Sequence, residues 1–156
     1  MQIRALLIAV FLTLTASQAL ACTAPAELQA LRGAVLAAVN AERTGAGLAM
    51  LRPSSALDTA AQGHACEIAR RERLSHRSGL FASLPSRLRQ AGYAYSMANE
   101  NLAAGQNSTQ QVMHSWMASP GHRNNILAAQ ARELGVGVAW GADGQLYWVT
   151  VGAAPR

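Results

Sequence analysis

Three residues of this 156-residue sequence have the types to do chemistry together: His76, Glu100 and His122. His76 follows Leu74-Ser75 just past a helical run, and His122 sits in Ser119-Pro120-Gly121-His122-Arg123. Both are loop or helix-start positions, where functional groups concentrate. Glu100 is the sole carboxylate between Tyr93 and Leu127, and a carboxylate in such a stretch wants a partner, for which a histidine is a natural choice. Two imidazoles and a carboxylate can hold Zn²⁺ or another divalent cation with a position open to water, or can act as acid and base. Separations of 24 and 22 residues, however, are not a local ligand pattern. Taken alone, the residues fit plainer roles better: His76 in a capped loop, Glu100 as a hydrogen-bonded buried carboxylate, His122 exposed. His64 lies on an apolar helical stripe and reads as a core histidine bonded to backbone. His114 reads as partly exposed and Glu133 as the start of a strand.

Other chemistries lack their residues. There is no G-x-S-x-G elbow, H-E-x-x-H, C-x-x-C, phosphate-binding loop or dinucleotide fingerprint. Lysine is absent, so a lysine Schiff base is excluded.

The elements that would position the three residues follow from periodicity and turn chemistry. Thr23 is a candidate cap for a first helix from about Ala24-Pro25, whose stripe is Leu28, Leu31, Val35 and Val39 and whose end is Gly45 and Gly47. A second helix is predicted from about Ser54 to Arg73, with Leu57, Ala61, His64 and Ile68 on one face and Cys66 about half a turn away. A short third helix starts near Ser83-Leu84-Pro85 and ends at Gly92. Tyr93 to Ala104 reads as extended. Ser108-Thr109-Gln110-Gln111 is a capping box for a fourth helix, in preference to a glycosylation sequon at Asn107, and Pro120 opens a further turn through Leu127. Leu134, Val136, Val138 and Trp140 then alternate, Asp143-Gly144 turns, and Leu146, Trp148 and Thr150 return, which predicts a β-hairpin. Helices interleaved with strands predict a single α/β domain with a small, mostly antiparallel sheet covered by helices.

Composition sets the compartment. The chain is 51% hydrophobic and 13% charged, which argues against wholesale disorder. Its net charge of +5 is carried by arginine alone. The cluster Arg70, Arg71, Arg73 and Arg77 reads as a solvated helix end, because no aromatics interleave it as a nucleic-acid surface would need. Residues 1–21 read as a secretory signal peptide: Arg4, an apolar run from Ala5 to Leu14, and an Ala19-Leu20-Ala21 ending. That run falls short of the roughly 20 residues needed to span a bilayer, so no transmembrane segment is expected. Residues 22–156 are then one exported domain, periplasmic or extracellular. Cys22 follows the cleavage point, but Ala19 and Leu20 fit a lipoprotein signal poorly. A disulfide between Cys22 and Cys66, the two cysteines of the chain, is the favoured alternative in an oxidising compartment, with two free buried thiols as the other.

Several motifs, taken in order, resemble one family. These are Asn40-Ala41-Glu42-Arg43; Leu57, Ala61 and Ala65; Leu74-Ser75-His76; Asn99-Glu100-Asn101-Leu102-Ala103; Trp116 and Ser119 through Leu127; and Leu134-Gly135-Val136-Gly137. Together, across residues 35 to 151, they resemble the bacterial branch of the CAP superfamily, also called SCP-like, which includes cysteine-rich secretory proteins, antigen 5 and plant pathogenesis-related proteins. The resemblance implies a three-layer α-β-α sandwich with a His/Glu cleft. It matches His76 and His122 to the two cleft histidines and Glu100 to the first glutamate. Ser119 stands where animal and plant members carry a second glutamate, which lowers the charge available to a metal. Some members bind Zn²⁺ or another divalent ion through the two histidines. The function implied is a binding module for a lipid, an envelope glycan or a peptide. The alternatives are a metal-dependent hydrolase with Glu100 as general base and a structural envelope protein. Fold alone does not choose among them.

Overall fold

The computed structural model of the chain describes residues 22–77 and 83–156; the segment read as a signal peptide, residues 1–21, lies outside them. The helices are α1 (Leu28–Gly45), α2 (Ser55–Arg70), α3 (Leu84–Gln90), α4 (Thr109–Ala118) and α5 (Pro120–Ile126). The strands are β1 (Arg52–Pro53), β2 (Tyr95–Ala104), β3 (Glu133–Trp140) and β4 (Leu146–Pro155). Among these, no helix is long and apolar enough to cross a membrane.

Local sequence accounts for most boundaries. Ser54 caps α2 and Ser108 caps α4, its Oγ accepting from the Gln111 backbone N–H at 3.2 Å. The Gln111 side chain reaches back to accept from the Asn107 N–H at 2.8 Å, so orphan donors at the helix start are satisfied. Thr23 is not the cap of α1. Its carbonyl accepts from the Trp140 N–H at 2.8 Å as an isolated β-bridge, so the backbone there is extended and the helix waits until Leu28. Cys22, one residue earlier, forms a disulfide with Cys66 on α2. The second helix stops at Arg70, three residues before the predicted end, and Glu72 beyond it takes a left-handed φ of 49°.

The sheet has order β1-β3-β4-β2, with β1 parallel to β3 and the other pairs antiparallel. The hairpin β3–β4 forms as expected, and β4 runs on past Thr150 to Pro155 because β2 lies along its other side. One face of the sheet packs Leu134, Val136, Val138 and Trp148 against Val35 and Val39 of α1 and Val112 and Trp116 of α4. The other packs Val149, Val151 and Ala153 against Leu57, Ala61 and Ile68 of α2 and Leu88 of α3. The result is the three-layer α-β-α sandwich, with apolar burial on both faces as its main support.

Buried polar groups lock the layers in register. Asn40 both donates to the Leu51 carbonyl (3.0 Å) and accepts from its N–H (2.7 Å). Arg43, fully buried, donates to the carbonyls of Ala49, Ile126 and Ala128 at 2.8–2.9 Å. It thereby ties α1 to the carbonyl end of α5, the helix that carries His122. On the other face, β1 covers only the start of β3, and α2 serves the uncovered stretch. Asp58 accepts from the Val136 N–H, while Gln62 accepts from the Val138 N–H and donates to its carbonyl.

Candidate functional site

Side chains along a strand alternate between faces, and β2 uses this to split its own polar residues. Glu100 points toward α2 and α3. Asn99 and Asn101 point the other way, toward α5: Asn99 donates to the Asn125 carbonyl (3.0 Å) and Asn101 to the His122 carbonyl (3.1 Å). Asn125 returns two bonds, to the Glu100 carbonyl (3.1 Å) and to Asn101 Oδ1 (2.8 Å). Four amide bonds therefore fasten α5 beside β2 and fix where His122 lies.

Glu100 is the centre. Its side chain is only 3% exposed, and both carboxylate oxygens are engaged. Oε2 accepts from the buried Arg87 guanidinium on α3. Oε1 lies 2.9 Å from His76 Nδ1 and 3.7 Å from Nε2 of His64 on α2. A carboxylate so deep would be costly unpaired, and the Arg87 charge answers it. His76, with a side chain 63% exposed, is the solvent-facing member. A carboxylate on Nδ1 fixes ring orientation and directs Nε2 outward, as metal-bound imidazoles commonly require.

His122 is half-buried on α5. Burial pushes its imidazole below the ordinary value of 6.5, and the neighbouring His76 acts in the same direction. It is therefore neutral near pH 7 and available as a ligand. Among the described residues it makes no hydrogen bond with Glu100 or His76. Of the three residues expected to meet, His76 and Glu100 touch, and His122 stands near enough to His76 to sense its charge. No group of three or more histidine, cysteine or acidic side chains is arranged to hold a metal ion among the described residues. Glu100 orients one of the two imidazoles.

Two members of the site escaped the sequence reading. Arg87 sits in Ser86-Arg87-Leu88-Arg89 of a short helix, where an arginine reads as solvated; the lone buried glutamate was the signal that a cation must face it. His64 is the buried core histidine expected, hydrogen-bonded to the Ser75 backbone, yet it also adjoins Glu100. His114 is exposed on α4 and Glu133 opens β3, where it accepts from the Tyr93 hydroxyl, so neither enters the site.

His64 makes stability depend on pH. Burial dominates and drives its pKa below 6.5, with Arg87 and His76 acting the same way and Glu100 and the Ser75 backbone opposing. The unfolded chain then binds more protons below about pH 7, so stability falls as pH drops through the ordinary histidine value, by up to about 1.4 kcal/mol per pH unit. Urea unfolding between about pH 7.5 and about pH 5.5 should show this slope, and His64→Gln should reduce it. Parallel curves for the two proteins would mean that His64 charges freely in the fold.

A family model described as the cysteine-rich secretory protein family, CAP, matches residues 36–151. An uncharacterized protein of Bacillus subtilis, YkwD, is 32% identical over 115 residues, which cover 74% of this chain and 45% of that one. The uncharacterized membrane protein YlbC of the same organism is 31% identical over 104 residues, covering 67% of this chain and 30% of its own length. The chain thus spans less than half of each of these relatives. Among solved structures, an extracellular SCP-domain protein of Bacillus anthracis superimposes with a TM-score of 0.73 at 25% identity, over 81% of this chain and 41% of that one. An outer surface protein of Borrelia burgdorferi shares the fold, with a TM-score of 0.76 at 17% identity over 86% of this chain and 99% of its own. With the matched segment running from α1 to β4 and taking in every residue of the site, the chain belongs to the CAP family of cysteine-rich secretory proteins.

Proposed function

We propose that this CAP domain is an exported binding module that engages a lipid, an envelope glycan or a peptide at the His76/Glu100/His122 site, with a divalent cation held by the two imidazoles. The observation that carries the reading is the commitment of Glu100: Arg87 and His76 occupy its two oxygens, so it acts by holding His76. A general base must meet its water, and Glu100, 3% exposed behind Arg87 and His76, is screened from it, which is why hydrolysis with Glu100 in that role is not favoured. Export is supported by the signal-like residues 1–21 and by the Cys22–Cys66 disulfide, a bond of oxidising compartments.

His76 and His122 would hold the cation, which when bound supplies a Lewis-acid anchor for an oxygen of the ligand. Glu100 fixes the His76 ring, Arg87 neutralises Glu100, and the asparagine network fixes α5. Two protein ligands predict modest affinity. Calorimetric titration with Zn²⁺ alone at about pH 7.5 should show one site, weakened at least tenfold by His76→Ala or by His122→Ala, and lost as pH falls and the imidazoles protonate. Zn²⁺ binding that ignores both substitutions, or none at all, would refute the metal part of the proposal.

A further inference from the structure

The outer face of α2 carries two depressions, the first of which also touches Arg87 and His64 of the site above but not His76 or His122. One, of about 550 Å³, lies between α2 and α3 and is lined by Thr59, Glu67, Arg87 and Gln90. The other, of about 530 Å³, lies beside the Cys22–Cys66 disulfide and is lined by Trp140, Ala69 and Arg70. Gly63 and Glu67 border both. Gly63 is exposed, and a Cβ built there would meet nothing within 4 Å, so no side chain stands between the two depressions at that position. Each alone has the size of a small-ligand site.

We infer that this groove binds an uncharged, N-acetylated glycan chain lying across α2 at Gly63. The lining argues for that chemistry. Trp140 is 38% exposed at one end, offering a flat apolar face of the kind that stacks on a pyranose ring. Thr59, Glu67 and Gln90 supply a hydroxyl, a carboxylate and an amide, which match the hydroxyls and acetamido groups of such a chain. Among the charged groups of the lining, Glu67 answers Arg70 and Glu100 answers Arg87, so the lining itself gives little net pull on a polyanion. An acyl chain would want a dry wall, and these charged groups deny it one. An extended peptide would want a free strand edge, and a helix face has none.

Of the three tryptophans, Trp116 and Trp148 are 1% and 0% exposed, so Trp140 is the one that can report occupancy. Titrating the protein with chitotetraose, the β-1,4 tetramer of N-acetylglucosamine, should change its tryptophan fluorescence, and the tetramer should bind at least tenfold tighter than the monosaccharide. Gly63→Leu fills the groove from an open helix position and replaces a poor helix former with a good one. It should weaken tetramer binding at least tenfold with no loss of Tm, and Trp140→Ala, followed by calorimetry, should weaken it similarly. His76→Ala should leave it unchanged. No response to chitotetraose, or binding that survives Gly63→Leu, overturns the inference. Binding that is instead lost with His76→Ala places the sugar at the histidine site and overturns it too, while leaving the earlier reading intact.

Discussion

Replacing Arg87 with alanine is expected to destabilise the protein by about 3–5 kcal/mol, the usual cost of stripping the partner from a buried charge. The magnitude follows from where the pair sits. Arg87 and Glu100 have side chains 9% and 3% exposed, so water cannot take over from the lost guanidinium. The two nearby imidazoles do not substitute for it, because His64 is held neutral by burial and His76 offers one polar contact. Glu100→Gln keeps an amide oxygen for Arg87 but leaves that guanidinium, 9% exposed, without its counter-charge, so it too should destabilise. Arg87→Met with Glu100→Gln should recover much of the Arg87→Ala loss, and urea unfolding of the unsubstituted protein, Arg87→Met, Glu100→Gln and the double variant measures the coupling. A loss below about 1 kcal/mol for Arg87→Ala would mean that Glu100 is not a buried anion depending on that partner. The same substitution should weaken Zn²⁺ binding, because Glu100 would no longer be held where it orients His76. Restored stability without restored Zn²⁺ affinity in the double variant would separate the structural role of the Arg87–Glu100 pair from its role in orienting His76.

That pair also shows how far residues can be read before a fold is known. Glu100 was legible because the stretch around it is nearly devoid of charge, and burial makes such a carboxylate demand a partner. The partner was not legible, since Arg87 shares a seven-residue helix with Arg89 and only packing distinguishes the buried one from the exposed one. Local signals carried the element boundaries well. Serine caps, the alternating hairpin and the off-stripe Cys66 all mean what their chemistry suggests, and Cys66 does pair with Cys22. Thr23 failed for the converse reason: its capping chemistry is local, but its backbone is taken by Trp140, 117 residues further on. The spacing of His76, Glu100 and His122 held no information about proximity, because a loop, a strand and a helix place them, and the asparagine network of β2 fixes the helix. Those amides were quoted for their pattern, while their work of fastening α5 became visible only in three dimensions.

Gly137→Ala should be among the most damaging single methyls in the domain, with a loss of about 3 kcal/mol or more, at or beyond the top of the usual range for overpacking. In the sequence, Gly135 and Gly137 alternate with Leu134, Val136 and Val138 and pass for the vacant face of a half-buried strand. In the fold that face is pressed against the backbone of α2. A Cβ on Gly137 would lie 2.4 Å from the Ala61 carbonyl, and one on Gly135 would lie 2.1 Å from the Leu57 carbonyl carbon. Carbon atoms rest comfortably at about 3.5–4.0 Å, so the helix would have to lift by more than about 1 Å. No rotamer change relieves the clash, because the obstacle is main chain. Lifting α2 would also strain the Asp58 and Gln62 bonds to β3, whose N–H and carbonyl groups at Val136 and Val138 have no strand to turn to. It would carry His64 away from Glu100, whose charge opposes the effect of burial, so the acid-side loss of stability assigned to His64 should extend to lower pH in the same variant. Gly33→Ala is the matching control: Gly33 is exposed on α1 with nothing near its Cβ, and the change should stabilise by up to about 1 kcal/mol. Opposite signs from the same substitution, read by denaturant midpoint, would establish that the glycines of β3 are there to let a helix touch a sheet, and that this contact sets the position of the histidine behind Glu100. Equal and small effects would mean that α2 can ride outward freely, and the close-packed account of the site would fall with it.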